Sequence, residues 1–201
     1  MATQIEIVKA DGASCKPNYE VVGYALVDDD DAWTVMAHRW RARQAERNLS
    51  PYVIMTGSKK NGGGTLLHNF LMGNPPSGHY WDHIDRDGLN NQRSNLRLAT
   101  ESQNQANRGR QKNNTSGYKG VSWHKRVRRY YARVGRGQEE KGNYQLGIYS
   151  DPVQAARVYN VAASLIYGPF AVINPLAPDP EADHQARLCA LRYLRRAGAS
   201  I

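Results

Sequence analysis

Within residues 78–107, GHYWDHIDRDGLNNQRSNLRLATESQNQAN, an imidazole and a carboxylate stand side by side as Asp82 and His83, followed by two side-chain amides, Asn95 and Asn104. Imidazole has an ordinary pKa of about 6.5, so a large fraction is neutral at pH 7 and able to take a proton from water. One carboxylate and one amide oxygen are hard donors of the kind Mg²⁺ accepts in small number, its other positions going to water and phosphate. Hydrolysis of a phosphodiester needs both functions: a base for the attacking water, and a cation that neutralises charge on the scissile phosphate and the leaving oxygen.

The elements that must position these groups follow from the local sequence. An apolar-aromatic strand ends on Asp82 and His83, a polar turn covers 85–94, and after Asn95 a short second strand is expected over 96–99. Thr100 with Gln103 three residues on forms a capping box, which predicts a helix carrying Asn104 in its first turns. Two other metal readings fail on spacing. Asp85, Asp87 and Gly88 suggest a calcium loop, but the sixth and twelfth positions, which need Gly and Glu, hold Asn90 and Leu96. His79 and His83 lie four apart in strand-like sequence and lack the Glu of a zinc-protease HExxH motif.

This order of strand, loop, strand and helix with Asp82, His83, Asn95 and Asn104 resembles the ββα-metal (HNH) endonuclease motif over residues 79–107, in the variant whose last ligand is Asn. The resemblance implies His83 as general base and Asp82 and Asn104 as metal ligands. Asn95, counted with His83 in the catalytic apparatus, would brace the loop through backbone hydrogen bonds. The implied cation is Mg²⁺, with Mn²⁺ as the alternative, and the implied substrate is double-stranded DNA. His68 falls in a short amphipathic helix expected over 65–72, ended by Gly73 and Pro75–Pro76. It is either an accessory site residue or, as favoured here, a polar shoulder on a packed helix.

Residues 1–64 are less informative. Strands are expected at 24–27 and 52–55, and the acidic run 28–31 suits a helix N-terminus through the helix dipole. That helix is expected to carry Trp33 and Trp40, and 58–64 (SKKNGGG) reads as a loop or hairpin tip. The arrangement is similar to the N-terminal part of phage-type HNH proteins.

With 201 residues, 27 Lys+Arg and 18 Asp+Glu, the chain carries a formal charge of +9. All of that excess resides between Gln105 and Gln145, where eleven basic residues face two acidic ones. Such a concentrated field marks a polyanion partner. Cys15 and Cys189 are isolated and suggest neither a disulfide framework nor a zinc knuckle. The N-terminus lacks a signal-peptide pattern and no apolar run is long enough for a membrane, so a cytoplasmic protein, monomeric or weakly dimeric, is expected.

From residue 117 the pattern changes to period two. Val121 and Trp123, Tyr130, Ala132 and Val134, and Leu146 and Ile148 are expected to share an apolar sheet face, with Ser122, His124, Tyr131, Arg133 and Gln145 opposite. Asp151 and Pro152 open a helix whose Ala155, Ala156, Ala162 and Ala163 permit close packing on the sheet, and Gly168 ends it. The segments YKGVSWHK, LGIYSDPVQAARVYNVAA and YGPFAVIN resemble in this order the AP2/ERF DNA-binding domain. The resemblance implies that the polar sheet face enters a DNA major groove, where Arg133 suits guanine and Gln145 suits adenine. Lys119, Ser122, His124 and Tyr131 join that face, while Lys125, Arg126, Arg128 and Arg129 at the first turn grip phosphates, aided by Arg108, Arg110 and Lys112. Ser122, His124, Arg133 and Gln145 depart from the residues usual in plant AP2 domains, so no known target sequence carries over.

The expected architecture is α+β: a ββα-metal (HNH) module within 1–108, a linker over 109–116, and an AP2-like three-stranded antiparallel sheet packed on one helix over 117–174. A stiff segment and a basic helix, expected to dock on its own domain, fill 175–201.

Overall fold

The computed structural model describes residues 1–10, 19–43, 50–56, 64–137 and 142–199, which form two compact units, Met1–Ala99 and Thr100–Ile201. Cys15, nearly all of the glycine-rich loop 58–64, and Glu139, Glu140 and Lys141 lie outside the described residues.

The first unit is built on a four-stranded sheet in the order β2-β1-β3-β4. β1 (Ala2–Ala10) pairs antiparallel with β2 (Tyr19–Asp28) and touches β3 (Trp40–Arg43) in parallel, and β3 runs antiparallel to β4 (Tyr52–Met55). Alternation along β1 turns Ile5 and Ile7 into a core with Ala25, Val27, Val35, Trp40, Val53 and Leu67. β2 is longer than the expected strand at 24–27, and β1 was not foreseen.

Helix α1 (Asp29–Met36) follows β2 directly and ends before Trp40. The expectation of one helix bearing both tryptophans is corrected. Trp33 is 87% exposed on α1, whereas Trp40 is buried in β3 with its indole N–H donated to the Val35 carbonyl at 2.9 Å. Burying an indole in a sheet core, with its polar edge satisfied, outweighs continuation of an eight-residue helix.

The acidic run does more than start α1. Asp28 accepts the Arg93 backbone N–H at 2.8 Å, and Asp31 binds the Arg93 guanidinium through two hydrogen bonds of 2.8 Å each. Helix α2 (Leu67–Met72) buries Leu67 and His68, and is followed by β5 (His79–His83), which pairs with β6 (Leu96–Thr100). The connecting loop is fastened to β2, since Leu26 N–H reaches the Leu89 carbonyl and Asn91 N–H reaches the Leu26 carbonyl, each at 2.8 Å.

The second unit begins with α3 (Glu101–Asn107). Its sheet, β7 (Val121–His124), β8 (Arg129–Gly135) and β9 (Asn143–Tyr149), is antiparallel in that order and is backed by α4 (Pro152–Tyr167). Asp151 caps α4 by accepting from Val153 and Gln154 N–H, and all four helix alanines are buried as expected. Gly120 permits this approach: a Cβ there would meet the Tyr159 ring at 1.9 Å. Helix α5 (Pro180–Arg196), capped by Asp179, buries Ala186, Ala190 and Leu194 in the same core.

Two expectations change here. Trp123 and Ile148, both expected on the apolar face, are 41% and 48% exposed and lie outside the core. Between the pairs Tyr131↔Ile148 and Arg133↔Gln145, β9 contains one more residue than β8, and Gly147 takes φ +113. This bulge shifts the alternation by one, leaving Tyr144, Leu146 and Tyr149 inside. Residues 109–116, expected to be a linker, are turns tied to β7: the Asn114 amide donates to the Tyr118 and Val121 carbonyls and accepts from Ser116 and Gly117 N–H. The compact units part at Ala99/Thr100, so α3 groups with the second.

Candidate active site

The β5–β6 hairpin concentrates the first unit's candidate residues. Asn95, at the end of a 3₁₀ turn (Arg93–Asn95), is almost fully buried and braces the loop through both amide atoms. Its Oδ1 accepts the Asp85 N–H at 3.1 Å, and its Nδ2 donates to Asp85 Oδ1 at 2.9 Å and to the Asn90 carbonyl at 2.8 Å. Asp85, named in the sequence only within the rejected calcium-loop reading, is the hub. Burial pushes its carboxyl up, but the Asp87 N–H and the Asn95 and Asn90 amides, with a smaller contribution from His83, hold it below the ordinary value.

His83 ends β5 in a buried position. Its Nε2 lies 3.3 Å from Asn91 Oδ1, and the Asn91 amide is fixed by donating through Nδ2 to the Gly88 carbonyl at 3.1 Å. With an oxygen facing it, Nε2 carries the proton of the neutral ring, which makes Nδ1 the basic nitrogen. Burial pushes His83 below its ordinary value, opposed by the Asn91 hydrogen bond and by the carboxylates of Asp85, Asp82 and Asp87. Neutral imidazole, the form a general base requires, therefore prevails at pH 7. Asn91 is 1% exposed and was missed by sequence reasoning, the only signal being the Asn90–Asn91 doublet in the turn.

Asp82, 5% exposed, is ion-paired through Oδ2 with Arg97 Nε of the neighbouring strand at 2.9 Å. His68 is brought to the same place. Its ring stands edge-on to His83 with centroids 5.2 Å apart, and Tyr52 contacts both rings at 5.9 and 5.8 Å. Burial, then the nearby His83 charge, pushes His68 down to about 3, so its ring is neutral at physiological pH. Asn104 lies half-buried on α3, next to Gln103 of an intact capping box: Gln103 N–H reaches Thr100 Oγ1 at 3.3 Å, and Thr100 N–H reaches Gln103 Oε1 at 2.9 Å.

In the second unit, the exposed sheet face gathers Ser122, His124, Tyr131, Arg133 and Gln145 along a groove of about 840 Å³, joined by Ile148 and Tyr193. Arg133 Nη2 donates to Ser122 Oγ at 2.9 Å, and the His124 and Tyr131 rings stack at 4.7 Å. Lys125, Arg126, Arg128 and Arg129 are exposed at the β7–β8 turn, as are Arg108, Arg110 and Lys112 before β7. Lys119 has a different place. Its ammonium binds the carbonyls of Ala106 and Arg108 at the end of α3, and its backbone N–H reaches Asn174 Oδ1 at 2.7 Å. It joins α3 to β7 and does not line the groove.

Comparison with known proteins resolves the hairpin. Residues 70–106 match the family model described as HNH endonuclease. The segment carries an HNH endonuclease domain. The chain is also 37% identical over 117 residues to a protein of Acanthamoeba polyphaga mimivirus described as an uncharacterized HNH endonuclease, covering 55% of this chain and 57% of that protein. It is 52% identical over 50 residues to Protein 3.8 of Escherichia phage T7, covering 25% of this chain and 41% of that protein. The chain thus spans about half the length of the curated relatives it matches. No solved structure matches.

Asp82, His83, Asn95 and Asn104 all fall inside the HNH segment, and His68 lies two residues before it. HNH nucleases generally use a divalent metal. Among the described residues, no group of three or more His, Cys, Asp or Glu side chains is placed to hold an ion. The buried carboxylate of Asp82 is a hard oxygen donor, the kind a divalent cation accepts in small number with water and phosphate completing its shell. No helix among the described residues is long and apolar enough to cross a membrane.

Proposed function

We propose that the protein is a metal-dependent HNH endonuclease that hydrolyses phosphodiester bonds in double-stranded DNA, in the manner of phage or homing enzymes, directed to its target by an AP2-like module over residues 117–174. The observation that carries the proposal is the buried His83, in contact with Asn91, next in the chain to the buried carboxylate of Asp82. His83 Nδ1 takes the proton of the water that attacks phosphorus. Asn91 holds the ring and its tautomer, and Asn95 with Asp85 keeps the loop that carries Asn91 in shape. Asp82 and Asn104 would each offer an oxygen to a divalent cation, Mg²⁺ before Mn²⁺, which would supply charge neutralisation on the scissile phosphate and the leaving oxygen.

One such motif cuts one strand per binding event, so the protein nicks unless it dimerises. A small hairpin site makes few base contacts, and the exposed sheet face with Arg133 and Gln145 supplies register and readout, the basic β7–β8 turn gripping phosphates. A three-stranded antiparallel sheet on one helix, with its polar face open, supports that assignment.

A second reading draws on the Asp82–Arg97 ion pair: with its carboxylate held by a guanidinium, the HNH domain would be an inactive relic on a DNA-binding regulator. Relaxation of supercoiled plasmid separates the two. Conversion to open circles with Mg²⁺ or Mn²⁺, blocked by EDTA and lost in His83→Ala, is the expected result. Salt-sensitive binding of host and phage DNA with no cutting of either would favour the regulator.

A further inference from the structure

The C-terminal helix α5 is unaccounted for by the sheet or the HNH domain. It is fixed in place: Arg157 of α4, itself buried, binds Asp183 of α5 and the Ala177 carbonyl, while Ala186, Ala190 and Leu194 are buried against the domain core. This seating carries Tyr193 to the edge strand β9. A Cβ on Gly147 would lie 2.9 Å from both the Tyr193 and Tyr149 hydroxyls, so the glycine of the bulge is what admits the tyrosine. Tyr193 thereby lines the same groove as His124, Arg133 and Gln145.

The chemistry of α5 beyond Ala186 is uniform. Arg187, Arg192, Arg195 and Arg196 are exposed, and no acidic residue occurs between Ala186 and Arg196. Compensation of the helix dipole accounts for charge in the last turn but not for Arg187 or Arg192. Arg196 is three residues from Tyr193 and four from Arg192, so on α5 it is a surface neighbour of both.

Resting on the reading that the exposed sheet face binds duplex DNA, we propose that α5 is the second wall of that groove. Tyr193 and the guanidiniums of Arg192 and Arg196 engage the phosphate backbone along the β9 edge, apart from the phosphates held by the β7–β8 turn. The groove then grips a duplex on two sides, fixing its angle to the sheet.

The test measures binding of a pool of short random-sequence DNA duplexes by fluorescence anisotropy over a salt series, in EDTA. Wild type is compared with Arg192→Gln/Arg196→Gln, with the corresponding double lysine variant, and with Arg129→Gln/Arg133→Gln on the sheet. Each lost phosphate contact should lower the slope of log K against log salt by about 0.9, hence about 1.8 for the α5 glutamine pair. The lysine variant should keep the wild-type slope, and thermal midpoints should be unchanged because these arginines are exposed. If the α5 glutamine pair keeps the wild-type slope while the sheet pair lowers it, the inference is overturned and the sheet reading stands. If neither pair changes the slope, or wild type does not bind, the sheet reading fails and takes the inference with it.

Discussion

His83 Nε2 and Asn91 Oδ1 lie 3.3 Å apart in the buried floor of the β5–β6 hairpin, eight residues apart in the chain. Because Asn91 is itself anchored to the Gly88 carbonyl, this one contact selects which imidazole nitrogen is basic. Replacing Asn91 with Leu removes the acceptor facing Nε2. Plasmid cleavage should fall on the order of 10- to 100-fold, the usual cost of losing a partner that orients a site histidine. DNA affinity should be unchanged, and equal loss of both would place Asn91 in general folding instead.

Removal of the base or of a ligand is a harsher test. His83→Ala should reduce cleavage by about 10² to 10⁴, the typical contribution of general-base catalysis. Asp82→Ala and Asn104→Ala should abolish metal-dependent cutting while duplex binding persists. Normal turnover in any of the three would remove that residue from its assigned role.

Acid should destabilise the first unit through its buried histidines. His68 is held at about 3 against an ordinary 6.5, and His83 is shifted in the same direction. As pH falls below 6.5 the unfolded chain takes up protons that the folded chain resists. The stability present above that pH is therefore lost progressively towards about 3. His68→Phe, which keeps a ring against Tyr52 and His83, should flatten the fall in urea stability between pH 6.5 and 3, measured in EDTA. A slope equal to wild type would mean that His68 protonates freely in the folded state.

Gly147→Ala should destabilise the second unit by about 1 to 3 kcal/mol, since a side chain must adopt a strained positive φ and its Cβ meets two tyrosine hydroxyls at 2.9 Å. Adding Tyr193→Ala should recover part of that loss in thermal denaturation, because one of the two clashes is gone. Complete failure of the double variant to recover would assign the whole effect to backbone strain and Tyr149.

Thr100→Ala removes one half of the capping box of α3 and should cost about 1 kcal/mol, read as a lower thermal midpoint. An unchanged midpoint would show that α3 is held by packing alone.

Much of this was legible in the chain because it is governed by short-range chemistry. The Thr100–Gln103 box, Asp151–Pro152 at the start of α4, the alanines of its buried face and the Asp82–His83 strand end all depend on neighbours a few residues away. The sequence by itself likewise determined where the positive charge lies and which polar side chains alternate onto one sheet face up to Gln145. Tertiary structure decided what depends on distant partners. Trp40 joins β3 because the core of β1, β4 and α2 needs a large side chain there. Lys119 faces the carbonyls of α3 because Asn174, fifty-five residues away, pins its backbone. Ile148 turns outward because a bulge, announced only by a glycine inside a strand, shifts the register of β9. The neutral state of His83 is of this second kind: its pKa is set by burial against His68 and by the amide of Asn91, and solvation is a property of the folded surface that no local pattern of residues encodes.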